Sequence, residues 1–210
     1  MFEDRTDAGE RLADRLREEG VEADIVLAVP RGGLPLGRAV ADALDAPLDI
    51  VAAKKLGAPE NPELAIGAAA STGSVWVNDD LVERLGVDEA YIEAEREQAA
   101  ETAKQKVDTY RDWPAPDLEG KRVVIVDDGV ATGATIRACA MAAKDEGATY
   151  VTIAVPVGPP ETLAALESLV DDVVCLQSPE HFGAVGRFYR DFSQVTDEEA
   201  MTYLDAEERG

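Results

Sequence analysis

Residues 123–135, VVIVDDGVATGAT, restrict the possible folds of this chain more strongly than any other segment. Four consecutive β-branched residues open the segment, and such a short apolar run is typical of a parallel strand buried on both faces. Two acids and a loop of small residues follow at once, and a helical pattern then runs over residues 133–146. The segment therefore predicts a buried strand, a loop and a helix in succession, the repeating unit of an α/β sheet.

Short apolar runs and amphipathic segments alternate along the rest of the chain. Because strands alternate with helices, we predict an α/β fold with a mainly parallel, doubly wound sheet, whose ligands bind beyond the carboxyl ends of the strands. A hairpin is predicted at 64–78, and the residues Lys54 to Gly57 are predicted to break the strand before it. Strands are predicted at 23–29, 48–53, 121–127, 150–155 and 172–176, and helices at 6–19, 36–44, 87–111, 133–146, 160–169 and 197–204.

The charge balance excludes some classes of function. Asp and Glu total 43 against 20 Lys and Arg, which gives a formal net charge of −23. Such a surface repels phosphates, so we expect no nucleic acid as a partner. The acids are interleaved with apolar residues at regular spacing, so the chain is expected to fold. This acidic, lysine-poor balance resembles that of proteins from salt-accumulating halophiles.

The sequence also favours a cytoplasmic location with no membrane as a partner. No apolar run approaches the ~18 residues of a membrane helix. The acidic N-terminal stretch MFEDRTDAGERLADRL differs from a signal peptide. Cys139 and Cys175 are far apart and have no CxxC spacing, so we expect neither a disulfide framework nor a zinc site.

Asp127 and Asp128 follow the buried strand and stand directly before the loop of small residues. Carboxylates accept hydrogen bonds from vicinal sugar hydroxyls, directly or through a hydrated Mg²⁺, but they are poor partners for a phosphate. Small residues have the opposite preference, because their backbone N–H groups approach an anion closely and the next helix offers its positive N-terminal end. Together the two features predict a site for ribose 5-phosphate.

In order and spacing, these residues resemble the signature of the type I phosphoribosyltransferase family, an apolar strand, an acidic pair and a loop of the form ATGxT. The resemblance implies an enzyme that binds 5-phosphoribosyl 1-diphosphate with Mg²⁺ as cofactor. It implies catalytic, ribose-binding and metal-binding roles for Asp127 and Asp128. Family members that use hypoxanthine or guanine carry an acid at the position of Ala131, so a hypoxanthine-type mechanism is not implied. The loop that would bind the sugar phosphate consists of Gly129, Val130, Ala131, Thr132, Gly133, Ala134 and Thr135.

Two further pairs of residues follow the first and second predicted strands. Arg31 and Gly32 stand where the family has its diphosphate-binding loop, in which an unusual cis peptide is common, and they are expected to bind phosphoribosyl diphosphate. Lys54 and Lys55 follow the second strand, where a cation would neutralise the leaving diphosphate. Two ordinary surface lysines are the alternative. The sequence leaves open which of the two points inward.

The chain is expected to form a single domain over residues 1–210. Within it, about 71–112 correspond to the family's flexible loop, here with helical character, and about 178–210 form a C-terminal tail that is the candidate hood. Phe182 or Phe188 in this tail would stack on a planar base, with core packing as the alternative. The candidate residues of the flexible-loop region are Arg96, Lys104, Lys106 and Arg111, and a solvated helix face is the alternative for them.

The reaction that the resemblance implies is displacement of diphosphate from C1 of the sugar by a nitrogen nucleophile, such as a nucleobase. A ligand-sensing regulator without turnover is one alternative, and hydrolysis or phosphorolysis of a sugar phosphate is another. The expected partners are small molecules, namely phosphoribosyl diphosphate and an acceptor that the sequence does not identify. Relatives are commonly dimers, so the resemblance leaves a homodimer open.

Overall fold

The computed structural model describes residues 1–204, and the part of the predicted tail at 205–210 lies outside the described residues. None of the helices within 1–204 is both long enough and apolar enough to cross a bilayer. The strands are β1 (Ile25–Ala28), β2 (Leu48–Ile50), β3 (Ala53–Ala58), β4 (Asn61–Ala70), β5 (Val75–Val77), β6 (Arg122–Val126), β7 (Tyr150–Val157) and β8 (Asp172–Gln177). The helices are α1 (Arg5–Glu18), α2 (Gly33–Leu44), α3 (Asp79–Leu85), α4 (Glu89–Tyr110), α5 (Ala134–Asp145), α6 (Pro160–Glu167) and α7 (Asp197–Leu204), with a 3₁₀ helix at Val185–Phe188.

Five parallel strands form the main sheet in the order β2-β1-β6-β7-β8. The central strand β6 pairs with β1, where Ile25 lies opposite Val123, and with β7, where Val126 lies opposite Ala154. Helices α1 and α2 cover one face, and α5 and α6 cover the other. The strands consist of continuous apolar runs because both of their faces are buried. The predicted mainly parallel, doubly wound sheet is confirmed.

The strand order reverses between β1 and β6. The chain adds β2 on the outer side of β1 and later adds β7 and β8 on the far side of β6. At such a point the loops that leave neighbouring strands diverge and open a crevice at the carboxyl edge of the sheet. Here these are the loop at 29–32 after β1 and the loop at 127–133 after β6. The topology thereby brings both predicted binding loops to one crevice.

A second, antiparallel sheet of the order β3-β4-β5 is predicted only in part by the sequence. The hairpin at 64–78 is confirmed by the pairing of β4 with β5. The prediction that the residues after Ala53 break a strand is wrong, because β2 already ends at Ile50 and β3 begins at Ala53 and pairs with β4. Leu56 is the only large apolar side chain of β3, so the strand depends on backbone pairing with β4, which apolar periodicity does not reveal.

The small sheet lies between α5 and α4. On one face, alanines of β4 such as Ala68 and Ala70 pack against alanines of α5, so that strand and helix approach closely. On the other face, Ile66 and Ala69 pack with residues of α3 and α4 such as Leu81 and Ala99. This packing places β3 and α4 beside the crevice of the main sheet.

The C-terminal tail returns to the N-terminus of the chain. The backbone N–H of Phe2 donates to the carbonyl of Phe188 at 2.7 Å, and the N–H of Arg190 donates to the carbonyl of Phe2 at 2.8 Å. The ring of Phe2 also packs on Tyr189, with 5.2 Å between ring centroids. Helix α7 then packs on α2 and α4. Both ends of the described chain therefore reach the α1 and α2 side of the crevice.

Candidate functional site

The loop after β6 borders a cavity of about 210 Å³ at the carboxyl edge of the main sheet. Its walls include Asp127, Lys55 of β3 and Val185 of the tail, together with the loop and the start of α5 over residues 129–136. Every residue of the predicted phosphate loop lines this cavity. One carboxylate, one ammonium group and a turn of small residues therefore face the same space.

The phosphate loop has a fixed conformation. Gly133 has a φ of +75°, which glycine adopts without steric cost, and it is the N-cap residue of α5. Because glycine has no side chain, the first N–H groups of α5 receive no side-chain cap and stay available to an anion. The hydroxyl of Thr162 donates to the carbonyl of Ala131 at 2.7 Å and ties the loop to α6. The geometry is that of an anion site at a helix N-terminus.

Asp127 is the carboxylate that faces the cavity. Its Oδ1 accepts a hydrogen bond from the backbone N–H of Asp128 at 2.8 Å, and no cationic side chain within residues 1–204 forms a salt bridge with it. Burial raises the pKa of Asp127 well above its ordinary value, and the charge of Asp128 adds to this shift. A buried carboxylate without a cationic partner is costly, and a ligand hydroxyl or cation would relieve that cost.

Asp128 is engaged by the protein itself. Its Oδ2 lies 2.8 Å from Nε of Arg5, and the two side chains are only 16% and 12% exposed. The Tyr189 hydroxyl donates to the backbone carbonyl of Asp128 at 2.6 Å. Burial raises the pKa of Asp128, and the guanidinium of Arg5 opposes this shift. The two predicted sugar-binding acids are thus in different environments, and Asp128 is the ion-paired one.

The loop after β1 lies directly against the acidic pair. The peptide bond between Pro30 and Arg31 is cis, as the resemblance implies. A Cβ atom added to Gly32 would lie 2.1 Å from Oδ2 of Asp128, a separation that real Cβ contacts do not reach. A side chain at this position would therefore displace the carboxylate of Asp128, and glycine lets the two predicted binding loops touch without that displacement.

Side chains from two helices hold the loop after β1. The ammonium group of Lys106 on α4 donates to the carbonyl of Pro30, and burial lowers the pKa of Lys106. From α7, the carboxylate of Asp197 accepts from Nη1 of Arg31 at 3.4 Å and from the hydroxyl of Tyr110. The sequence pattern proposes Lys106 only as one of four helix candidates, and it gives no signal for Asp197.

The pairing of β3 with β4 separates the two candidate lysines. Lys54 lies opposite Ala69 and Lys55 lies opposite Ala68. Directly opposed residues of antiparallel strands share a face of the sheet. Ala68 packs on α5 and Ala69 packs on the α4 side, so the two lysines point to different sides. Lys55 is the one that borders the cavity with Asp127.

The aromatic residues proposed for base stacking lie in the tail beside the cavity. The rings of Phe182 and Phe188 stack on each other, with 5.5 Å between centroids and an interplanar angle of 21°. Both are half-buried against the core. Between them, Val185 reaches the cavity, and its Cγ1 would lie 2.7 Å from a Cβ atom added to Gly129. The tail thus contributes Val185 to the cavity wall, whereas the two rings pack with each other.

The remaining charged candidates lie away from the cavity. Arg96 pairs with Glu93 on the exposed face of α4. Arg111 donates to the carboxylate of Asp49 and to the carbonyl of Ile50 at the end of α4, where it joins this helix to β2. Lys104 borders a second cavity, between α4 and α5. These side chains do not join Asp127 and the phosphate loop.

The donor set at the cavity fits a Mg²⁺ ion that arrives with a phosphorylated ligand. Residues 1–204 contain no group of three or more His, Cys, Asp or Glu side chains arranged to hold a metal. Mg²⁺ keeps several waters in protein sites and is commonly held by one or two carboxylates together with substrate phosphates. Asp127 supplies one such carboxylate, while the carboxylate of Asp128 is paired with Arg5.

Comparison with known proteins gives a family match over nearly the whole chain. A family model described as phosphoribosyl transferase domain matches residues 2–193. Two Mycobacterium tuberculosis proteins that carry the provisional name phosphoribosyl transferase, Rv0571c of strain H37Rv and MT0597 of strain CDC 1551, are each 43% identical over 210 residues. The alignment covers 100% of this chain and 47% of each relative, so the chain spans about half the length of these proteins.

A solved structure shares both the fold and much of the sequence. The crystal structure of TT1426 from Thermus thermophilus is 39% identical, with a TM-score of 0.83, and the match covers 97% of each chain.

The amidophosphoribosyltransferase of Archaeoglobus fulgidus is 25% identical over 207 residues, which are 99% of this chain and 36% of that protein. Similarity therefore extends over both predicted binding loops and the tail.

Proposed function

The chain belongs to the phosphoribosyl transferase domain family, and from this premise we propose that it transfers the phosphoribosyl group of 5-phosphoribosyl 1-diphosphate to a nitrogen nucleophile. The observation that carries the proposal is the shared cavity of Asp127 and the uncapped start of α5. One side of this cavity suits sugar hydroxyls and the other suits a phosphate, and these are the two ends of a ribose 5-phosphate.

In this proposal the loop at 129–135 binds the 5′-phosphate through its backbone N–H groups. Asp127 accepts hydrogen bonds from the ribose hydroxyls, and Asp128 holds the β6 loop in place through Arg5 as well as contributing to the sugar site. The loop with Arg31 and Gly32 lies against Asp128, and it binds the diphosphate on the other side of the sugar. Lys55 borders the cavity and offsets the charge of the leaving group.

The proposed reaction breaks the bond between C1 and the diphosphate oxygen and forms a bond between C1 and the nucleophile's nitrogen. The electron pair of the broken bond leaves with the diphosphate, and the proton of the attacking N–H is released to solvent. Catalysis then comes from orienting the sugar and from neutralising the charge that develops on the leaving group. When bound, Mg²⁺ supplies further neutralisation of the diphosphate charge. Asp127 is the residue that would hold it, and Asp128 would contribute if Arg5 moved away.

The acceptor is proposed to bind on the tail side of the cavity. Val185 brings the tail to the cavity wall, and the stacked rings of Phe182 and Phe188 flank it in sequence. A planar nucleobase suits an aromatic surface of this kind. Ala131 stands where an acid would assist proton transfer in hypoxanthine-type relatives, so the proposed base is not of that type.

Isothermal titration calorimetry with phosphoribosyl diphosphate and Mg²⁺ tests the proposed site. Asp127→Asn keeps the shape of the side chain and removes its charge. We expect the Kd of this variant for phosphoribosyl diphosphate to rise by about ten- to a hundredfold, because a hydrogen bond to a charged group contributes about that much. Asp112→Asn, an exposed position after α4, is the matched control for the change in net charge. Equal affinity of the two variants would refute the role of Asp127.

Turnover separates the transferase from its rivals. Incubation with phosphoribosyl diphosphate and a panel of bases should release diphosphate only when a suitable acceptor is present. Release without any base would favour hydrolysis. Tight binding with no release across the panel would favour a ligand-sensing regulator. Such a reading has a structural basis, because Arg5 already pairs with Asp128 and Asp197 already pairs with Arg31.

A further inference from the structure

Asp197, the first residue of α7, lies on a cationic side chain of the proposed diphosphate loop. Its Oδ1 accepts from Nη1 of Arg31 at 3.4 Å, across 166 residues of sequence. The same oxygen accepts from the hydroxyl of Tyr110 on α4. The side chain of Asp197 is 60% exposed and that of Arg31 is 28% exposed, so the ion pair lies at the mouth of the crevice. A carboxylate of the protein therefore pairs with one nitrogen of a guanidinium that is proposed to bind diphosphate.

Asp197 is not the capping residue of α7. Thr196 and Glu199 form a reciprocal capping pair, in which the Thr196 hydroxyl accepts from the Glu199 N–H at 3.1 Å and the Glu199 carboxylate accepts from the Thr196 N–H at 2.9 Å. Further along the helix, Ala200 and Leu204 are buried against the rest of the protein. The start and the packing of α7 are thus secured by other residues, and Asp197 is left with its contacts to Arg31 and Tyr110.

A carboxylate and a diphosphate oxygen compete for an arginine, because both are anionic acceptors of its N–H groups. They cannot share one N–H without repelling each other. This inference rests on the proposed function. We infer that Asp197 is an affinity-determining residue, which pairs with Nη1 of Arg31 in the ligand-free protein and is displaced from it by the diphosphate group of the ligand.

The exposure of the pair sets the size of the effect. Exposed ion pairs are weak, because solvent screens them and because holding two long side chains together costs conformational entropy. Displacing such a pair therefore weakens diphosphate binding only modestly, by about two- to fivefold. Asp197 then acts as a graded competitor that lowers affinity for any ligand with a diphosphate group and leaves ligands without one unaffected.

Calorimetry on the full chain with three ligands tests this inference. The ligands are phosphoribosyl diphosphate, inorganic diphosphate and ribose 5-phosphate. Asp197→Asn should bind the first two about two- to fivefold more tightly than the wild type, with ribose 5-phosphate unchanged. Glu198→Gln is the matched control, since Glu198 is exposed on the same turn and loses the same charge, and its side chain forms no hydrogen bond or ion pair within residues 1–204.

Tyr110→Phe provides a second variant that acts through a different group. Tyr110 is buried, and phenylalanine keeps its ring packing while removing the hydroxyl that anchors Asp197. A less firmly held Asp197 competes less well, so this variant should also bind both diphosphate ligands more tightly, by a smaller factor. Thermal denaturation of each variant identifies any that is misfolded.

The outcomes separate this inference from the proposed function. If Asp197→Asn binds the diphosphate ligands no more tightly than Glu198→Gln, or more weakly than the wild type, Asp197 is not a competitor and the inference is wrong. If the wild type binds inorganic diphosphate but not phosphoribosyl diphosphate, the proposed function fails. Tighter diphosphate binding by Asp197→Asn in that case would still support competition at Arg31.

Discussion

Nε of Arg5 lies 2.8 Å from Oδ2 of Asp128, and this contact joins the first turn of α1 to the end of the central strand across 123 residues of sequence. Arg5 is held on two further sides, because its Nη1 donates to the carbonyl of Ser193 at 2.7 Å and its guanidinium lies 3.9 Å from the ring centroid of Phe192. The pair therefore connects the N-terminal helix, the acidic pair and the C-terminal tail.

Replacement of Arg5 by glutamine should destabilise the protein strongly. The change leaves the carboxylate of Asp128 largely buried without its cation, and we expect the free energy of unfolding to fall by about 2 kcal/mol. Urea denaturation measures this loss. Arg11→Gln is the matched control in the same helix, where the pair with Asp7 is exposed, and it should cost less than about 0.5 kcal/mol. Similar losses in the two variants would contradict a structural role for the Arg5 pair.

Replacement of Asp127 by asparagine should stabilise the ligand-free protein. Burial raises the pKa of Asp127 above its ordinary value of 3.8, so the folded state binds this proton more tightly than the unfolded state does. Stability contributed by the group is therefore present below pH 3.8 and is lost as the pH rises through the higher folded pKa. At neutral pH we expect the variant to be about 1 kcal/mol more stable, a rise in Tm of about 2–4 °C.

The pH dependence distinguishes this cause from a general effect of charge. The stability difference between Asp127→Asn and the wild type should shrink towards zero as the pH falls to about 4, where Asp127 is protonated in the folded state. Urea denaturation from about pH 4 to about pH 8 measures it. A constant difference over this range would show that ionisation of Asp127 in the folded protein is not its source.

The two lysines of β3 should differ in their effect on catalysis. Lys55 borders the cavity, whereas Lys54 points to the α4 side of the sheet. We expect Lys55→Met to lower kcat/KM by about ten- to a hundredfold, since the cavity loses the ammonium group that is proposed to offset the charge of the leaving diphosphate. Lys54→Met should have a smaller effect. Steady-state kinetics with an accepted nucleophile gives the comparison, and a larger loss at Lys54 would reverse the assignment.

Salt should stabilise this protein. With a net charge of −23, the folded chain repels itself, and salt shortens the range of that repulsion from about 10 Å at 0.1 M to about 3 Å at 1 M. We expect the Tm to rise by several degrees between about 0.1 M and about 2 M KCl, in line with the halophile-like composition. NaCl should act equally, because screening depends on ionic strength. A Tm that falls with either salt would argue against self-repulsion.

The sequence predicts the main sheet well because the relevant forces are local. Apolar runs, helical periodicity and turn residues each act within a few positions, and they place β1, β6, β7 and β8 to within a few residues. The small sheet is harder to predict, because β3 carries two lysines and takes its place through pairing with β4. Helix α3 (Asp79–Leu85) lies between the predicted hairpin and the predicted long helix, and it is too short to leave a clear periodic signal.

The order of strand, acidic pair and small-residue loop follows from the amino-acid sequence alone, because all of these residues are neighbours along one backbone. That order is sufficient to predict that Asp127 and Gly133 share one crevice. It took the folded chain to show that Arg5 pairs with Asp128, that Asp197 contacts Arg31, and that Lys55 is the lysine at the cavity. Those relationships join residues far apart in sequence, or depend on which face of a strand meets a helix, and folding alone brings such groups together.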